Sequence, residues 1–151
     1  MRLSRWPIQN GYKIVVKGEM NVNNSEAKIA GKRPIIAIVD NDPAVCNSLK
    51  FSLELEGFAV RTFGSGTDLL HSEDLEACSC FVIDQRMPVI NGMDVIAKLR
   101  GRKVLTPAIL IISHPNDAVS ARAARSGVSI VEKPLFGNVL VDRIRDACRI
   151  G

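Results

Sequence analysis

Several short apolar runs in the sequence are each followed by polar residues of the kinds that handle phosphate and divalent cations. Carboxylates, an amide, a hydroxyl and a lysine make up the set, which in chain order is Asp40, Asn41, Asp42, Asp84, Ser113 and Lys133. Carboxylate and amide oxygens suit Mg²⁺, a hard cation that prefers oxygen ligands. A carboxylate oxygen can attack phosphorus in line, while Mg²⁺ and a lysine ammonium balance charge on the equatorial oxygens. The combination therefore indicates phosphoryl transfer to a carboxylate.

Taken singly, these residues have plainer interpretations. An Asp directly after a strand is more often a helix cap than a catalytic group, and Asp42, which precedes Pro43, is predicted to cap a helix. His71 is predicted to lie on a helix surface and His114 in a loop beside Pro115. What favours a site is the presence of carboxylates, a hydroxyl and a lysine after successive predicted strands.

The apolar runs predict five strands that alternate with helices. β-Branched runs without polar alternation are typical of strands buried on both faces of a parallel sheet. The predicted strands cover residues 35–39, 58–62, 80–83, 108–112 and 128–131. The first predicted helix begins at Asp42-Pro43, and the next three cover about 67–71, 93–99 and 117–126. The last predicted helix carries Leu140, Ile144 and Cys148 on one face.

Five strands and five helices in alternation indicate an α/β fold with a doubly wound parallel sheet. In such a sheet the carboxyl ends of the strands lie along one edge, and ligands bind in the crevice there. Because the polar groups all follow predicted strands, this edge would collect them into one site.

The chain divides by charge near residue 33. Residues 1–33 carry seven basic and two acidic side chains, whereas residues 34–151 carry thirteen basic and fourteen acidic ones. We therefore expect a basic, partly disordered N-terminal extension followed by one folded domain over residues 34–151. The basic residues of the extension are scattered among Asn, Gly and Ser, so direct binding to nucleic acid is not expected.

The composition, 46% apolar and 24% charged, is that of a globular protein. The sequence has no apolar run of roughly 18 residues, the length that suggests a membrane span, and no signal-peptide pattern follows Arg2 and Arg5, so we expect a cytoplasmic protein. The cysteines fit no C-x-x-C spacing, which favours reduced thiols over a metal site. They are Cys46, Cys78, Cys80 and Cys148.

Over roughly residues 33–150 the sequence resembles the response-regulator receiver family of two-component signalling. The resemblance lies in Ile38-Val39-Asp40-Asn41-Asp42, Asp84-Gln85-Arg86-Met87-Pro88, Asn91-Gly92 and Glu132-Lys133-Pro134. It is closest to receivers that precede a helix-turn-helix domain in transcriptional regulators. The resemblance implies a flavodoxin-like, CheY-like fold with strand order 2-1-3-4-5.

The resemblance also implies roles for individual residues. Asp84 would be the phosphoacceptor, and Lys133 would pair with it or with its phosphoryl group. Mg²⁺ would be held by Asp40, Asn41, Asp84 and the backbone carbonyl of Arg86. The peptide bond that follows Lys133 would be cis.

Three positions depart from the family pattern. Asn41 stands where receivers usually have a second acid, so we expect weaker Mg²⁺ binding. Ile112 falls where the family has Thr or Ser, and Ser113 would supply the hydroxyl only if the strand end shifts. Ile130 stands where a Tyr or Phe often rotates with that hydroxyl. An Ile112/Ile130 pair cannot perform this switch in its usual form.

The function implied is that of a single-domain response regulator in a phosphorelay. It would accept a phosphoryl group on Asp84 from a histidine kinase or phosphotransfer protein and signal by protein–protein contact. The only catalysis expected is Mg²⁺-dependent self-phosphorylation and autodephosphorylation. Receivers commonly form homodimers or bind partners through the fourth helix, fifth strand and fifth helix.

Two alternatives belong to other classes of protein. A degenerate receiver would act as a phosphorylation-independent interaction module, which Asn41, Ile112 and Ile130 favour. An aspartate-nucleophile phosphatase is suggested by the D-x-D spacing of Asp40 and Asp42. That class needs Thr or Val where Ala44 stands, together with a later acidic pair, so the sequence argues against it.

Overall fold

The computed structural model describes residues 32–150, and the predicted extension at residues 1–33 lies almost wholly outside this range. The strands are β1 (Ile35–Val39), β2 (Ala59–Phe63), β3 (Cys80–Asp84), β4 (Ala108–Ile112) and β5 (Ser129–Glu132). The α-helices are α1 (Pro43–Leu55), α2 (Gly66–Leu70), α3 (Gly92–Gly101), α4 (Asp117–Arg125) and α5 (Val139–Ile150). A short 3-10 turn at Leu75–Ala77, absent from the prediction, precedes β3.

All five strands pair in parallel, in the order β2-β1-β3-β4-β5. The predicted α/β fold and strand order are therefore confirmed. This order makes β1 and β3 direct neighbours and puts β4 between β3 and β5. The carboxyl ends of β1, β3, β4 and β5 consequently meet at the centre of one sheet edge.

Apolar side chains fill both faces of the sheet. On one face, Phe81 and Ile83 of β3 join a cluster with Leu69 of α2 and Leu99 of α3, all fully buried. On the other face, β-branched residues of β1, β3 and β4 pack with Leu53 of α1 and Ile144 of α5. The central strands are buried on both sides, which is why their sequences lack polar alternation.

Two strands begin one residue later than predicted, and both shifts have the same cause. The amide of Phe58 bonds to the carbonyl of Leu53 and the amide of Val128 to that of Ala123, each closing the preceding helix. In both turns the glycine just before adopts a left-handed conformation, as in a Schellman motif. Phe58 and Val128 therefore belong to helix caps rather than to β2 and β5.

No described helix has both the length and the apolar character needed to span a membrane. The four cysteines are free thiols; Cys46, Cys78 and Cys80 are buried and Cys148 is half-buried. Burial raises the pKa of the Cys80 thiol to about 12, so this thiol is unreactive at neutral pH.

Candidate functional site

Two buried carboxylates mark the carboxyl edge of the sheet. Asp84 is the last residue of β3, and Asp40 directly follows β1, whose Val39 pairs with Ile83. Their relative exposures are 7% and 5%, and among the described residues they are the only buried charged ones. Buried charges are costly unless they are paired, so this pair requires a cation.

Lys133, which follows the edge strand β5, supplies that cation. It directly follows β5, and its backbone amide donates to the carbonyl of Ile112, which fixes it beside β4. Its Nζ lies 3.0 Å from Asp84 Oδ1 and 3.9 Å from Asp40 Oδ2. The peptide bond between Lys133 and Pro134 is cis, as the resemblance implied.

The electrostatic balance at Asp84 favours a further cation. Burial raises the pKa of the Asp84 carboxyl; the Lys133 hydrogen bond opposes this rise, the Asp40 carboxylate adds to it, and the net pKa is raised. The guanidinium of Arg86 has a smaller lowering effect. One lysine facing two carboxylates thus leaves excess negative charge, and an added divalent cation would relieve it.

The donor set at this edge fits Mg²⁺. Carboxylate oxygens of Asp40 and Asp84, the amide of the exposed Asn41 and the carbonyl of Arg86 are all hard oxygen ligands. Within residues 32–150 no group of three or more His, Cys, Asp or Glu side chains could hold a metal by itself. An ion here would therefore depend on amide, carbonyl and water oxygens as well as the two carboxylates.

Asp42 serves as the cap of the first helix. Its Oδ1 accepts a hydrogen bond of 2.9 Å from the amide of Ala44, and Pro43 is the first helical residue. The prediction that Asp42 caps α1 is confirmed. The amide of Asp42 also donates to Asp40 Oδ1 at 2.9 Å, so the turn after β1 orients the Asp40 carboxylate.

A cleft of about 390 Å³ opens in front of Asp84 and Lys133. The loop between β3 and α3 lines one side, including Arg86 and Met87. Ile112, Ser113, His114 and Asn116 line the side toward α4. The cleft is large enough for a phosphoryl group with its bound water, and it is open to solvent at exposed residues.

A family model described as the response regulator receiver domain matches residues 36–145. The chain belongs to the response regulator receiver family. It is 31% identical over 134 residues to the response regulator protein TmoT of Ectopseudomonas mendocina, an alignment that covers 88% of this chain and 58% of TmoT. It is also 31% identical over 113 residues to the transcriptional regulatory protein FixJ of Rhizobium meliloti, covering 74% of this chain and 55% of FixJ.

The receiver fold is similar to that of solved receivers. A CheY-like response regulator receiver domain protein from Methanospirillum hungatei gives a TM-score of 0.71 at 21% identity, covering 79% of this chain and 96% of that one. At this identity the likeness concerns the fold. The receiver chain spans about half the length of the curated relatives it matches.

At the position where the resemblance predicts a hydroxyl, this receiver has a buried aliphatic side chain. β4 ends at Ile112, as predicted, and Ile112 is 6% exposed and lines the cleft. Ser113 is exposed just beyond the strand end and lines the same cleft. Ile130 is half-buried and packs against the cluster on the α3 and α4 side of the sheet.

Two contacts at the receiver site were missed by the sequence analysis. The Cys46 thiol donates to the carbonyl of Asp40 over 3.3 Å. Gln85 Oε1 accepts from the amide of Met93 over 2.9 Å. Cys46 lies seven residues before Leu53, on the same buried helix face, so periodicity could have placed it inward. No local pattern indicates that Gln85 reaches a residue eight positions away.

Proposed function

We propose that this receiver accepts a phosphoryl group on Asp84 from a histidine kinase or phosphotransfer protein and passes the signal on by protein–protein contact. The observation that most supports the proposal is the 3.0 Å contact between Lys133 Nζ and the buried carboxylate of Asp84. A carboxylate nucleophile and an ammonium ion at the mouth of a cleft match the needs of phosphoryl transfer.

The transfer requires little covalent chemistry from the protein. An oxygen of Asp84 forms a bond to phosphorus as the bond to the donor's imidazole nitrogen breaks, and the nitrogen keeps that electron pair. Lys133 faces the acceptor and would balance the negative charge of the transferred group. Mg²⁺, held by Asp40, Asn41, Asp84 and the carbonyl of Arg86, would supply further positive charge when bound.

The surface beside the site supports a helical donor. A groove of about 730 Å³ runs between α1 and the loop that follows β5, and it reaches Ser113 and Lys133 at one end. Small and apolar side chains of α1, Ala44 and Leu49 among them, form one wall, and Pro134 forms part of the other. A helix that carries the phosphohistidine could lie there with its imidazole directed at Asp84.

For readout, we propose Ser113 as the hydroxyl that contacts the phosphoryl group. β4 ends at Ile112 without the shift that would put Ser113 at the family's hydroxyl position, but Ser113 is exposed directly beyond the strand and lines the cleft. The surface of α4, β5 and α5 is the proposed face for a homodimer or another partner. Arg125 and Arg149 are exposed there.

A phosphorylation-independent interaction module is the second candidate. The observation that favours it is the burial of Ile112 at the hydroxyl position, together with the packing of Ile130 against the core. In such a protein the surface of α4 and β5 would be fixed by apolar packing, and it would bind its partner in the same way whatever the state of Asp84.

Intact-protein mass spectrometry after incubation with acetyl phosphate and Mg²⁺ tests the proposal. The wild type should gain one phosphoryl mass, and Asp84→Asn should gain none. If the wild type stays unlabelled under conditions that label an ordinary receiver, phosphoryl acceptance is excluded and the interaction module becomes the better account.

A further inference from the structure

Gln85, the residue after the proposed phosphoacceptor, forms three hydrogen bonds that join β3 to its neighbours on two sides. Its amide donates to the carbonyl of Ile111 on β4 over 2.9 Å. Its own carbonyl accepts from the amide of Gly92 over 3.0 Å. Its side-chain Oε1 accepts from the amide of Met93 over 2.9 Å. The carboxyl end of β3 is thereby fixed both to β4 and to the start of α3.

These bonds complete the N-terminus of α3. The first four amides of a helix have no partner within it. Here those of Gly92 and Met93 donate to Gln85, and that of Asp94 donates to the side chain of Asn91. Gln85 therefore supplies two of the three acceptors for the amides of Gly92, Met93 and Asp94, and Met93 is only 1% exposed.

The segment that Gln85 closes, residues 86–90, is under backbone strain. The amide of Ile90 bonds to the carbonyl of Pro88 over 2.7 Å, which makes a γ-turn, and Val89 at its centre has a φ of 71°. This form of γ-turn is rare, and positive φ is unfavourable for a β-branched residue. Val89 is also 98% exposed, so its own side chain does not hold the turn, although Met87 and Ile90 in the same segment pack against the core. Strained turns of this kind persist when the surrounding contacts determine them.

We infer that Gln85 is a positioning residue for Mg²⁺: its side chain holds the strained segment closed and so keeps the carbonyl of Arg86, the first residue of that segment, at the metal set. The inference deepens the proposed function and rests on its assignment of Arg86 as a ligand. Groups that hold metal ligands in place affect metal affinity through geometry without touching the ion.

The test is the Mg²⁺ dissociation constant of the unphosphorylated chain, measured by isothermal titration calorimetry. Gln85→Leu removes the acceptor at similar size and should weaken binding about tenfold. Gln85→Glu keeps an oxygen at the same place and should bind at least as tightly as the wild type. Ser65→Ala is the matched control, because Ser65 Oγ caps α2 through the amide of Asp68 at 3.0 Å but does not line the cleft. Its affinity should be that of the wild type.

Equal affinities for Gln85→Leu and the wild type, equal losses in Gln85→Leu and Ser65→Ala, or failure of the wild type to bind Mg²⁺ would each overturn the inference. The titration contains no phosphoryl donor. Its result therefore does not depend on whether Asp84 can be phosphorylated. If Gln85→Leu does not fold, hydrogen exchange of the wild-type Met93 amide decides. If the hydrogen bond from Met93 to Gln85 strengthens Mg²⁺ binding, bound Mg²⁺ must strengthen that hydrogen bond by the same factor. Saturating Mg²⁺ should therefore slow exchange of the Met93 amide about tenfold, and an unchanged rate would overturn the inference.

Discussion

Among the individual residues of the site, negative charge exceeds positive charge. Two carboxylates, Asp40 and Asp84, are buried against each other and share the ammonium group of Lys133. The side chain of Lys133 is 30% exposed, so part of its charge is still screened by water. Burial and the neighbouring Asp40 carboxylate thus make ionisation of Asp84 less favourable than in water, while Lys133 partly offsets this cost.

Replacing Asp84 should consequently stabilise the protein. The raised pKa of Asp84 means that ionisation costs folding free energy at neutral pH, and the cost disappears as pH falls through that pKa. Without Mg²⁺, we expect Asp84→Asn to raise the melting temperature by a few degrees at pH 7, the shift that about 1 kcal/mol gives in a domain of this size. The gap should close in acid. A variant that melts below the wild type at pH 7 would contradict this account.

Removing the lysine should have the opposite effect. Lys133→Met leaves two buried carboxylates without their cation, and we expect a loss of about 2 kcal/mol in the free energy of unfolding at neutral pH. Urea denaturation measures the change. The double variant with Asp84→Asn should recover most of the loss, because only one buried charge remains. Additive effects of the two substitutions would show that these groups are not coupled.

At the scale of elements, helix ends decide where the strands begin. α1, α3 and α4 each end with a residue at positive φ, followed by an amide that bonds back to the last turn. Glycine, the residue that most readily adopts this conformation, occupies the position after α1 and α4 as Gly57 and Gly127. After α3 the position is held by Lys103, with a φ of 66°, and a lysine is not a residue type that marks such a cap.

This difference predicts a matched pair of substitutions. Lys103→Gly should stabilise the protein by about 1 kcal/mol, because it removes the steric cost of a side chain at positive φ. Gly127→Ala should destabilise the protein by a similar amount, because φ there is 69° and is unfavourable for a residue with a Cβ. No clash adds to this cost, since the new Cβ would meet nothing within 4 Å. Urea denaturation of both variants measures the backbone effect alone. Changes of the same sign would contradict the assignment of these caps.

Contact between elements sets a stricter limit at Gly92. A Cβ there would lie 2.8 Å from the carbonyl oxygen of Asp84 and 2.7 Å from a methyl group of Leu110. Because the first of these atoms is backbone, it cannot move without shifting the end of β3. Gly92→Ala should therefore cost about 2 kcal/mol in stability and slow labelling of Asp84. Gly101→Ala on the same helix is the control, since its Cβ would meet nothing within 4 Å.

At the scale of the whole molecule, the parallel sheet assembles the site from distant parts of the chain. Periodicity and composition were enough to predict the strands and helices, and the resemblance added their order. Residue types at strand ends then indicated Asp40, Asp84 and Lys133 as one group, which the distances bear out. Contacts such as that of Gln85 with Met93 could not be predicted, because they depend on side-chain reach across a strained loop that no sequence period encodes.

Because the proposed Mg²⁺ ligands Asp40, Asn41, Asp84 and the carbonyl of Arg86 come from separate parts of the chain, Mg²⁺ should bind the native state and raise its melting temperature with concentration. We expect the neutral amide of Asn41 to limit this effect, since an acid in its place would add a second charge next to Asp40 in the sequence. We expect Asn41→Asp to tighten Mg²⁺ binding about tenfold, a gain of roughly 1.4 kcal/mol. The same substitution should lower stability without Mg²⁺, because it adds to the unbalanced negative charge at the edge. Melting curves over a Mg²⁺ series separate the two effects: the curves of variant and wild type should cross as the ion is added, and parallel curves would show that residue 41 is not a ligand.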